Sequence, residues 1–153
     1  MLINCLPAVL ERVPDALWDL ANERIAVFVG YYDSATDTAH ITDLAEATNI
    51  HEKPADHFAL GSAQWKTLKR QAEKRGLAVI GAIHSHCPGH DDGPSPQDVT
   101  FARRYPETLI ANAVFVSATG DLVWYTVAGE HSRQRLKLPW LYRAATRLSR
   151  SSA

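Results

Sequence analysis

The stretch Ala78-Val-Ile-Gly-Ala-Ile-His84-Ser-His86-Cys-Pro-Gly-His90-Asp-Asp-Gly-Pro-Ser95-Pro-Gln-Asp98-Val-Thr-Phe-Ala-Arg-Arg104 holds three elements in order. The continuous apolar run Leu77 to Ile83 reads as a strand buried on both faces. A loop rich in glycine, proline and acid follows. Ser95-Pro96-Gln97-Asp98 then opens a helix towards Arg104: Ser95 caps it, Pro96 suits its first position, and Asp98 meets the free amides of the first turn. A buried strand that ends in exposed-type imidazoles has a chemical use. Side chains two apart on a strand point the same way, so His84 and His86 can grip one ion together. Two neutral imidazoles, one carboxylate and an open position form a plan for catalytic zinc, with Asp98 as the third ligand. Zinc in that arrangement holds a water and lowers its pKa from about 16 to about 7. His90, Asp91 and Asp92 compete for the third position.

Working outward, Ile25 to Tyr32 is a β-rich run that turns at Asp33-Ser34-Ala35-Thr36-Asp37 and returns as Ala39 to Ala45, a first hairpin. Glu23 stands just ahead of it, placed to shuttle a proton beside the metal. Pro14 to Ala21 reads as a short helix with Pro14 in its first turn. Ser62 is the expected cap of a helix through Arg75, which Gly76 terminates. Leu109 to Ser117 and Leu122 to Val127 form a second hairpin across Ala118-Thr119-Gly120-Asp121, and Pro139 to Ser149 a last helix. Asn49, His51 and His57 read as solvated loop, with approach of a polar residue after the second strand to the cleft as the alternative. Strands and helices interleave without strict βαβ repetition, which predicts an α/β domain with a mixed, mostly antiparallel sheet flanked by helices.

The 153 residues suffice for one core, so residues 1–153 are expected to form a single domain with a basic helix or tail over about 132–153. The formal charge of −1 gives no reason to expect a nucleic-acid partner. Arg133, Arg135, Lys137, Arg143, Arg147 and Arg150 nevertheless follow one another without an intervening acid, as a solvated face or an anion-binding one. Two cysteines, Cys5 and Cys87, make no disulfide framework. With no basic and apolar leader and no run of about 20 apolar residues, the expectation is a cytoplasmic protein with no membrane partner.

Glu23 with its following strand, Ile83-His84-Ser85-His86, and Ser95-Pro-Gln-Asp98 together resemble the JAMM metalloproteases, the catalytic branch of the MPN domain. That resemblance implies a cytidine-deaminase-like MPN fold in a minimal, bacterial-type member. It further implies Zn2+ held by His84, His86 and Asp98, Glu23 as general acid and base, and Ser95 as donor to the oxyanion. The implied activity is that of a deubiquitinase-like isopeptidase, in which hydroxide on zinc cleaves after the C-terminus of a ubiquitin-like or sulfur-carrier protein within an E1-like or E2-like conjugation system. A non-catalytic MPN scaffold and a zinc hydrolase of small molecules are the alternatives. Two features depart from the family pattern: eight residues separate His86 from Ser95 where the family has seven, and Cys87 stands in place of proline. The first requires the loop to absorb a residue. The second reads as a spectator thiol.

Overall fold

A computed structural model describes residues 1–151. The chain runs β1 (Leu2–Cys5), α1 (Pro7–Leu17), β2 (Ile25–Asp33), β3 (Thr38–Ala47), α2 (Ser62–Lys74), β4 (Ala78–His86), α3 (Pro96–Arg103), β5 (Asn112–Val116), β6 (Asp121–Tyr125), β7 (His131–Arg135) and α4 (Trp140–Ser151). Its seven strands form one sheet in the order β1-β3-β2-β4-β5-β6-β7. The β1–β3 and β4–β5 pairs are parallel and the others antiparallel. This is the mixed, mostly antiparallel α/β sheet with flanking helices that the sequence predicts.

The central strands are those whose side chains are apolar on both faces. Val27, Phe28, Ile83 and Phe115, from β2, β4 and β5, are buried, and on one side of the sheet Phe28 and Ile83 pack with Val9, Val13 and Leu17 of α1. On the other side Val27 and Val79 meet Leu68 and Ala72 of α2, while Val114 and Tyr125 meet Ala102 of α3. Gly81 allows the closest approach within the core. A Cβ there would sit 1.7 Å from the carbonyl oxygen of Ala111, so no other residue lets the segment before β5 lie against β4.

The first helix lies earlier than the sequence suggests. Pro7 occupies its first turn, and Pro14, read as an initiator, falls inside it. Proline there removes one backbone bond, but Val9, Val13 and Leu17 fall on one buried face, and that burial decides where the helix forms. In α2 the capping residue is Gly61 rather than Ser62, which is already helical and makes no capping bond. Two edge strands escape the pattern rules. β1 is four residues long. β7 is exposed throughout, so part of the expected basic end is a strand. Its hold is polar: Trp124 Nε1 donates to Gln134 Oε1 at 2.9 Å, while Arg133 and Arg135 both reach Asp121.

The parallel β4–β5 pairing requires a crossover, and α3 lies within it. The C-terminal end of β4 and the N-terminus of α3 therefore face each other across the 87–94 loop.

Candidate metal centre

His84 and His86 are the last outward pair of β4, both buried, at 2% and 4% exposure. Asp98 is buried as well, at 5%. The imidazole Nε2 atoms lie 3.1 Å apart, His84 Nε2 lies 3.3 Å from Asp98 Oδ1, and His86 Nε2 lies 3.6 Å from Asp98 Oδ2. Tetrahedral zinc with bonds of roughly 2.0–2.1 Å holds its ligand atoms roughly 3.3 Å from one another. The two nitrogens and the carboxylate thus stand at the spacing a tetrahedral cation needs, and this group could hold a metal ion.

Neighbouring groups orient each donor. The backbone N–H of Ser95 donates to Asp98 Oδ2 at 2.7 Å, and Ser95 Oγ accepts from the Asp98 N–H at 3.2 Å, completing a capping box. Capping and ligation are compatible because the carboxylate has two oxygens and Oδ1 turns to His84. The carbonyl of Asp91 lies 2.7 Å from His86 Nδ1 and can only accept. His86 therefore carries its proton on Nδ1 and presents Nε2 to the centre. On the other side the ring of Phe58 lies against His84, with centroids 4.3 Å apart.

The electrostatics favour a cation. Burial lowers the pKa of His84 and keeps it neutral, the form that ligates. Around His86, burial opposes charge but is outweighed by Asp98, the Asp91 carbonyl and Glu23, so its pKa is raised. For Asp98, burial is overridden by His84, His86 and the Ser95 amide, which hold the carboxyl well below the usual range.

Glu23 sits ahead of β2 and is 4% exposed. It lines the same cavity of about 680 Å³ as His86, Ser95 and Asp98. Burial pushes its pKa up to about 7; His86 opposes that rise, while Asp98 and Asp56 add to it.

The rival ligands lie elsewhere. His90 Nε2 is 3.4 Å from Asp56, Asp91 contributes its backbone carbonyl to His86, and neither joins the metal-ligating group. Neither does Asp92. Gly89, at φ +92°, and the bond from His90 N to the Cys87 carbonyl fold the loop of residues 87–94 back. Cys87 is buried, and burial pushes its thiol up to about 11, leaving it protonated and inert at neutral pH.

The loop between β3 and α2 differs most from its sequence reading. Asn49, taken for solvated loop, is its hub. Its Nδ2 donates to the carbonyls of Glu23, at 2.8 Å, and His57, at 2.9 Å, and its Oδ1 accepts from the amides of His51 and Ala59. The Glu23 amide in turn donates to the Pro54 carbonyl at 2.6 Å. Both backbone groups of Glu23 are thus held by this loop, whose His51, His57 and Phe58 line the cavity. An asparagine that follows a strand and precedes a Pro-containing loop is the one local sign of such a hub.

The mixed sheet with a His-x-His strand end facing a capped aspartate defines an α/β domain with, at its crossover, a cleft beside a group that could hold a metal ion. Residues 7–135 match the prokaryotic homologues of the JAB domain, and the chain belongs to that family. Two bacterial proteins known from solution structures share the fold. One, from Desulfitobacterium hafniense, is 19% identical with a TM-score of 0.66, over 90% of this chain and 93% of its own. The other, from Salinibacter ruber, is 21% identical with a TM-score of 0.58, over 90% and 92%. No curated protein matches the sequence. Among the described residues no helix is long and apolar enough to cross a membrane.

Proposed function

We propose that this chain is a zinc-dependent isopeptidase or peptidase that cleaves after the C-terminal tail of a ubiquitin-like or sulfur-carrier protein. The observation that carries this reading is the convergence of His84, His86 and Asp98 at tetrahedral spacing, beside a cavity that His86 and Asp98 line together with a buried carboxyl, Glu23. Zinc, when bound, supplies Lewis acidity that polarises a carbonyl and acidifies a water.

The chain's own groups do the rest. Glu23, a carboxyl whose pKa burial raises in the metal-free cavity, takes a proton from the attacking water and returns it to the departing amine. Asn49 holds the Glu23 carbonyl, and Pro54 its amide, so that the carboxyl does not swing with the loop. Ser95 uses a lone pair of Oγ to cap α3. Its hydroxyl hydrogen remains to donate to the substrate oxygen as negative charge develops there.

At about 680 Å³ the cleft is ligand-sized. A folded domain does not enter it, whereas an extended chain end does, and the rings of Phe58 and Phe101, in edge contact at 5.4 Å, form an apolar wall beside it. A lysine isopeptide or a linear extension then lies across the metal centre, and a conjugation system with E1-like or E2-like enzymes supplies such substrates.

The test pairs zinc analysis of the purified protein with incubation against ubiquitin-like and sulfur-carrier proteins fused through their C-termini to a reporter. About one zinc per chain and release of the reporter, abolished in Glu23→Gln with zinc retained, are expected. Zinc without cleavage of any such fusion overturns the substrate class, and the absence of both leaves a scaffold.

A further inference from the structure

The basic C-terminal segment converges on a cleft. Residues 131–150 carry six of the 16 Lys and Arg residues and none of the 17 Asp and Glu residues, so the preceding 130 residues hold ten cations against 17 anions, a formal −7. Five of those six cations, Arg135, Lys137, Arg143, Arg147 and Arg150, line one cleft of about 480 Å³ to which no acid contributes. Spacings of four and three place the arginines of α4 on a single face. Arg135 is paired, through Nε at 2.8 Å from Asp121 Oδ1, and Asp121 is shared with Arg133. Among the described residues Lys137, Arg143, Arg147 and Arg150 make no ion pair.

The frame beneath these cations is fixed. Leu136 and Leu138 are buried at the floor, and Thr146 on the inner face of α4 is 5% exposed. Tyr142 anchors the helix to α1: its ring stacks on Trp18 with centroids 4.6 Å apart, and its hydroxyl donates to Asp15 at 2.8 Å. The opposite side of α4 presents Leu141 and Leu148, at 65% and 69% exposure, and no charge. A merely solvated basic face points its charges away from the body of the protein. This one gathers them over a concavity, where like charges repel unless an anion neutralises them.

We propose that this cleft binds a compact, phosphate-rich anion, an oligophosphate or a clustered set of phosphomonoesters. Each guanidinium fork takes a pair of oxygens, and several forks over one concavity match the many oxygens and charges of clustered phosphates, where a single carboxylate offers two oxygens and one charge. The acidic body around the cleft repels a long polyanion that overhangs it, which favours a small ligand over nucleic acid. The cleft shares no lining residue with the metal-centre cavity, so the site is independent of the hydrolase reading.

Calorimetric titration of the full chain with inorganic tripolyphosphate tests the assignment, alongside Asp98→Asn, which disables the metal centre, and the double variant Arg143→Gln/Arg147→Gln. One saturable site is expected, unchanged in Asp98→Asn and weakened at least tenfold in the double variant, whose melting temperature stays that of the parent. Both substituted positions are exposed, so misfolding does not confound the result. Capture by vesicles that contain phosphatidylinositol bisphosphate, whose headgroup carries clustered phosphomonoesters, with the same arginine dependence assigns the phosphate to a lipid headgroup. Tripolyphosphate binding without vesicle capture assigns it to a soluble ligand. No binding, binding lost in Asp98→Asn, binding indifferent to the two arginines, or equal affinity for an oligoglutamate each overturns the proposal.

Discussion

A buried carboxyl with a raised pKa makes a quantitative demand on stability. Glu23 is lifted by burial from 4.5 to about 7, so the folded chain holds its proton more tightly than the unfolded chain does. The sign follows from linkage: the folded state is favoured while the group is protonated in both states, and that advantage is lost as pH rises from about 4.5 through about 7. At roughly 1.4 kcal/mol per pH unit the full span amounts to about 3 kcal/mol, and partial hydration of the open cavity reduces it to about 2 kcal/mol. Glu23→Gln removes the ionisation while keeping shape and burial. Under chelator, urea denaturation of the variant at pH 8 should show a gain of about 2 kcal/mol over the parent, and at pH 4.5 almost none. Comparing the two proteins at each pH cancels the titrating groups that do not interact with Glu23. An equal difference at both pH values, or a variant weaker at pH 8, refutes the claim that the cavity holds Glu23 as a desolvated acid.

Other expectations follow from the same geometry. Asn49→Asp retains the acceptor for the amides of His51 and Ala59 but loses both donated bonds and sets a carboxylate against two carbonyls, so the melting temperature should fall and kcat of the folded protein should drop about tenfold or more with zinc content little changed; a packing role alone leaves the isosteric variant at wild-type kcat. Asp98→Asn should weaken zinc, measured by competition with a chromophoric chelator, by more than the roughly 10–100-fold that loss of an outer-sphere partner costs. Ser95→Ala should lower kcat by about 100-fold or more with a smaller change in KM. It should also lower unfolding stability by about 1 kcal/mol through the lost cap, and unchanged kcat removes Ser95 from the chemistry.

Much of this was legible because it obeys local rules. The buried runs of β2, β4, β5 and β6 are apolar without alternation, which only a covered sheet tolerates. The candidate metal-ligating set rests on two short-range regularities, the two-residue period that aligns His84 with His86 and the capping box that turns Asp98 inward. What escaped depends on contacts distant in sequence. β7 looks like a polar tail because it is held by Asp121 and Trp124 rather than by its own apolar residues. Pro14 misled because a helix begins where its apolar stripe meets a partner surface, and that partner is assembled from β2 and β3. Asn49 shows no helical or strand periodicity, and its importance exists only once Glu23 is brought alongside it. The Asp91 carbonyl, being backbone, is invisible to any reading of side chains.

The segment between His86 and Asp98 is a tether with both ends at the metal centre. A cation gripped from either side cross-links the chain and removes much of the freedom that an open loop retains. Pro88, Gly89, Asp91 and Asp92 are exposed at its crest, so demetallation should first loosen this span, leaving the sheet intact and offering proteases a single early cut.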